Sequence, residues 1–109
     1  MLILPIKKKW FDMIVSGEKT EEYREIKPYY DKRLLKYFEV TSKSDVFRVI
    51  YPKNEKLVIF RNGYSKNSPH IKCCCILQYG YGFKEWGAIP DKLYYILKII
   101  KIYEVEKWL

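Results

Sequence analysis

The 109-residue chain holds 49% hydrophobic and 31% charged residues, the balance of one globular domain over 1–109 and too short a chain for two. No apolar run approaches the ~20 residues that cross a bilayer, and the opening Met1-Leu2-Ile3-Leu4-Pro5 is too short for a signal-peptide core, so a cytoplasmic protein without a membrane partner is expected. A formal charge of +8 with eleven tyrosines suits a polyanion with stackable bases, although a lysine-rich genome writing ordinary solvated surface gives the same composition.

Residues 2–6 read as a short strand that Pro5 places at an edge or a strand end. A helix is predicted over 7–16, with Ile6, Trp10, Met13 and Ile14 as its apolar stripe. Its basic run Lys7-Lys8-Lys9 lies at the N-terminal end, where the helix dipole disfavours cations. Phosphate contact is one reading of that run and a solvated helix start the plainer one. Gly17 stands just past the periodicity, where a helix reverses through a left-handed cap.

The octapeptide Gly17-Glu18-Lys19-Thr20-Glu21-Glu22-Tyr23-Arg24 follows, and helix, glycine turn, strand is its natural reading. Alternation puts Glu22 and Arg24 on one strand face and Lys19 on the other, so the three converge only if Lys19 sits in the turn before the ladder begins. Converged, Glu22 stabilises the neighbouring cations while burial lowers the pKa of Lys19 toward a free amine. From spacing alone the plainer reading is a solvated charged strand, its cross-strand pairs worth roughly 0.2–1 kcal/mol each.

Pro28 fits a first helical turn, and Tyr30, Leu34, Tyr37 and Phe38 recur at helical spacing, so a second helix is predicted over 29–38 with Lys32, Arg33 and Lys36 on its other side. Residues 39–56 are mixed: 41–45 read as a linker, 46–51 as a short helix or strand, and Pro52 opens a turn. Strands are predicted over 57–61, 71–81 and 93–106. Asn62-Gly63 favours positive φ at the head of a long polar loop, and Gly80 and Gly82 mark a bend or bulge. Cys73-Cys74-Cys75 spells neither a disulfide framework nor a zinc site, since adjacent cysteines lack bridge geometry and His70 is the one histidine. They read as small buried hydrophobes in a reducing compartment, and His70 as a turn residue without a role.

Five or so strands and two early helices make an α+β fold, a small, partly closed mixed β-barrel flanked by helices. Gly-x-Lys-x-x-Glu-x-Arg after a short amphipathic helix, matched by Gly17, Lys19, Glu22 and Arg24, resembles the signature of the ASCH domain family, small β-barrels related to the PUA RNA-binding domain. The segments Val58-Ile59-Phe60-Arg61-Asn62-Gly63-Tyr64 and Glu85-Trp86-Gly87-Ala88-Ile89-Pro90, with the strand after it, resemble the same family. The three blocks span nearly the whole chain apart from 39–56.

The resemblance implies a PUA-like barrel of five or six strands, with RNA in a cleft between the first helix and the barrel. Lys19, Glu22 and Arg24 would lie at its floor, Lys19 and Arg24 against phosphate or a base edge. Arg61, Asn62, Tyr64 and Trp86 would complete the binding set, Tyr64 or Trp86 as a stacking face. It equally implies an enzyme, since small members include amidohydrolases of acylated cytidine nucleosides and others are proposed to cleave RNA. Lys19 would then be base or nucleophile, Glu22 its orienter and Arg24 the holder of developing negative charge, with no metal or cofactor. In those hydrolases Thr stands where this chain has Glu22, and a late glutamate is used that has no clear counterpart here, Glu85 being a guess, so the hydrolase reading loses support. The charge of +8 favours RNA or a nucleotide over an uncharged nucleoside as partner. A third reading is an interaction domain with a vestigial cleft, its Tyr29, Tyr30 and Phe38 simply core. No oligomeric state follows from the sequence.

Overall fold

A computed structural model describes residues 1–40 and 55–106. Its strands are β1 (Leu2–Pro5), β2 (Glu21–Glu25), β3 (Lys56–Arg61), β4 (His70–Tyr81) and β5 (Leu93–Glu106). They form one curled mixed sheet, a half-barrel, in the order β1-β3-β4-β5-β2. β1 and β3 run parallel and every other pair is antiparallel. Helix α1 (Lys8–Val15) connects the two edge strands in sequence, and α2 (Pro28–Tyr30) follows β2. Among the described residues no helix is long and apolar enough to cross a membrane.

Alternation along the strands builds the core. Leu2, Leu4, Val58, Phe60, Ile71, Cys73, Cys75, Leu77, Tyr95 and Leu97 are buried in one cluster, and α1 adds Phe11 and Ile14 to it while Leu34 and Phe38 come from the second helical segment. β2 pairs with β5 so that Glu22 stands opposite Leu97 and Arg24 opposite Tyr95. Residues directly opposite each other share a face. The edge strand therefore turns two charged side chains toward the face where its neighbour places core residues.

Three expectations change. The second helix begins on Pro28, but Asp31–Leu35 is a π-helical turn before the chain resumes α geometry through residue 37. The widening falls at Asp31, which accepts a hydrogen bond from the buried Tyr95 hydroxyl, a tertiary contact that 3.6-residue periodicity does not encode. The stripe of α1 is also rotated: Phe11 and Ile14 are buried, whereas Trp10 and Met13 are only half-buried. The ladder irregularities lie beside Cys73 and Cys75 rather than at Gly80 and Gly82, where register with β5 holds through Gly80 and Tyr81. Gly82 instead makes room, since a Cβ there would stand 2.6 Å from the Tyr23 ring and 2.7 Å from Ala88. The half-barrel, its edges β1 and β2 unpaired with each other, agrees with the expected partly closed mixed sheet. The predicted linker and the short element over 46–51 lie outside the described residues. Gly63 takes positive φ (127°) in the loop after β3, as Asn62-Gly63 predicts, while Asn62 does not.

Candidate functional site

The turn after α1 decides where Lys19 goes. Gly17 adopts φ 83°, its N–H donates to the Ile14 carbonyl at 3.0 Å, and the Lys19 N–H reaches back to the Met13 carbonyl at 2.9 Å. Lys19 is thus fixed to the helix end before β2 starts, free of strand alternation, and its side chain joins those of Glu22 and Arg24. Lys19 is 1% exposed and Glu22 6%.

Two cations meet around one carboxylate. Lys19 Nζ lies 3.2 Å from Glu22 Oε1, and Arg24 Nη2 lies 2.8 Å from Glu22 Oε2. The Lys19 amine donates to the Trp86 carbonyl at 2.7 Å and sits 5.1 Å from the Trp10 ring and 4.7 Å from the Tyr23 ring. Arg24 donates further to the Pro5 carbonyl at 2.7 Å and to the Tyr30 hydroxyl at 3.3 Å. Taking such charges out of water costs several kcal/mol per ion, and only partners as close as these offset it.

The electrostatics follow from the same contacts. Burial lowers the pKa of Lys19 below its ordinary 10.5, and the adjacent Glu22 opposes that shift. For Arg24 burial disfavours the charge, but Glu22 and the Tyr30 hydroxyl more than offset it and hold the guanidinium protonated. Desolvation raises the Tyr23 phenol, which donates to Glu21 at 2.9 Å and accepts from the Phe83 N–H at 3.0 Å. The 3-10 turn Lys84–Trp86 is thereby tied to β2 at one end through Tyr23 and to the preceding turn at the other through Lys19. Gly87, at φ 101°, closes it; a Cβ there would stand 2.9 Å from the Trp10 indole.

Above this cluster opens a cleft of about 450 Å³. Trp10, Tyr30 and Trp86 line it with Lys7, Lys27 and Lys92, and Glu22 and Arg24 reach its surface. Lys19 does not line it. The amine is sealed behind Trp10, Tyr23 and the Trp86 carbonyl, so the group expected to react is the one that supports the others.

The remaining predicted residues are placed elsewhere. Trp86 lines the cleft, but Arg61, Asn62 and Tyr64 do not. Asn62 donates from Nδ2 to the Ile6 carbonyl at 3.0 Å and from its N–H to the Pro69 carbonyl at 2.8 Å, bracing the loop after β3. Tyr64 is 90% exposed, and Arg61 Nε is buried without a hydrogen-bond partner among the described residues. Glu85 is exposed and off the cleft. Sequence reasoning missed Trp10, Tyr23, Tyr30, Lys27 and Lys92 as site residues. Trp10 carried a signal: it stands next to the basic run at the start of α1 and one residue from the buried Phe11, a boundary position between core and solvent.

Cys73, Cys74 and Cys75 are all buried and unbridged. The Cys73 and Cys75 sulfurs lie 3.9 Å apart on the core side, and no group of three or more His, Cys, Asp or Glu among the described residues is arranged to hold a metal. No family model, no curated protein and no solved structure matches this chain.

Proposed function

We propose that the chain is an ASCH-type, PUA-like domain that binds RNA or a nucleotide in the cytoplasm through this cleft. One observation carries the reading: aromatic rings (Trp10, Tyr30, Trp86) and rim lysines (Lys7, Lys27, Lys92) share a single cleft next to the Lys19-Glu22-Arg24 cluster. Rings stack on bases at about 1–3 kcal/mol per base, and lysines neutralise phosphates. The net charge of +8 brings a polyanion to that surface.

The alternative, an amidohydrolase of N4-acylated cytidine or a ribonuclease using Lys19, has less support. Its lowered pKa suits a base, but its amine is occupied by Glu22 and the Trp86 carbonyl and does not face the cleft. Filter binding of single-stranded RNA across salt concentrations tests the proposal. Three phosphate contacts give a log–log slope of about −2, at roughly −0.7 each for single strands. Charge reversal of Lys7 and Lys27 together should flatten that slope; salt-independent binding would count against it. Release of cytidine from N4-acetylcytidine, abolished by Lys19→Ala, would establish the hydrolase instead.

A further inference from the structure

We infer that the ligand enters base first and that Glu22, with Arg24 beside it, selects guanine; the inference rests on the binding reading above. A carboxylate offers about four lone-pair positions, and here Lys19 and Arg24 take one on each oxygen. One acceptor position remains on each oxygen of a side chain that reaches the cleft and is locked on both sides. Arg24 lines the same cleft, and the contacts it makes to Glu22, Pro5 and Tyr30 among the described residues use three of its five N–H groups. The site therefore presents two acceptors next to a donor.

Guanine is the base whose Watson–Crick edge carries the complement, the N2 and N1 N–H donors followed by the O6 acceptor. Adenine and cytosine each offer one donor group there, and uracil one donor between two carbonyls. A phosphate at the same depth would face the Glu22 carboxylate and lose its water. Phosphate belongs instead at the rim, where Lys7 and Lys27 are exposed. Lys19 is a positioning residue in this scheme: its ammonium holds Glu22 Oε1 from beneath while the rings of Trp10 and Tyr23 flank it.

Three RNA heptamers test it: all-uridine, and the same strand with a central guanosine or a central inosine, which lacks the N2 amino group. The guanosine strand should bind wild-type protein about tenfold more tightly than the inosine strand and at least as far above all-uridine, the discrimination of one good donor pair. Glu22→Gln, with its fold checked by circular dichroism, should bring the guanosine and inosine strands level. Equal binding of all three strands by the wild type overturns base selection but leaves RNA binding intact. Failure of all three to bind overturns both.

Discussion

The two oddest stretches of this chain, the octapeptide from Gly17 to Arg24 and the run Cys73-Cys74-Cys75, both carry buried side chains, Lys19 and Glu22 in the first and all three thiols in the second, and the difference between them separates a site from a core. The octapeptide buries charges that could be solvated at no cost on an exposed edge strand. Each has a partner within 3.2 Å, and the cluster borders a cleft. The cysteines bury side chains that behave as small hydrophobes: Cys73 and Cys75 pack among Val58, Ile71 and Leu97, and the Cys75 thiol is pushed up by the neighbouring Cys73 thiol and by burial. Buried charge at the edge of a sheet needs a use; buried thiol in its middle does not.

That contrast breaks most sharply at Glu22. Glu22→Ala leaves Lys19 buried without its carboxylate and should lower stability by about 3–5 kcal/mol in urea unfolding, the cost of an uncompensated buried charge. Lys19→Met should cost less, about 1–3 kcal/mol, because Arg24 still neutralises Glu22 and mainly the Trp86 carbonyl loses its donor.

The same pair carries a pH signature. With the folded pKa of Lys19 below 10.5, the unfolded chain holds more protons in the window beneath 10.5, so stability from this group rises with pH there. Wild type should therefore gain on Lys19→Met as pH climbs toward 10; a flat difference would mean that the amine is solvated, and a falling one that the Glu22 pair outweighs burial. Tyr23 and Tyr95 have raised pKa values and act in the opposite sense at higher pH, but both proteins carry them. At the small end, Cys75→Ala should cost only about 1 kcal/mol, a methyl-sized void, and leave RNA affinity and its salt dependence untouched. A loss of binding there would erase the distinction between the two regions.

Much of this is legible in the sequence. Gly17 announces the reversal that frees Lys19 from strand alternation, and β5 spans Leu93–Glu106 as its run of apolar and β-prone residues predicts. What escaped was set by contacts distant in sequence. The π-helical turn falls where Asp31 meets Tyr95, 64 residues away, and the irregular ladder beside the cysteines depends on how β5 slips against β4. Trp10 read as core because its spacing matches Ile14, yet the close approach of Gly87 draws its indole over Lys19 instead. The family resemblance implies Tyr64 as a stacking ring, but the loop holds it in open water.

Lysine footprinting with an amine-reactive reagent, read by mass spectrometry with and without single-stranded RNA, tests the central claim most directly. Lys19 should stay unmodified in both states, while Lys7, Lys27 and Lys92 should label in the free protein and be protected by RNA. Labelling of Lys19 in the folded free protein, or protection that falls on Lys32 and Lys36 and spares the cleft, would contradict a sealed lysine beneath a ligand-binding cleft.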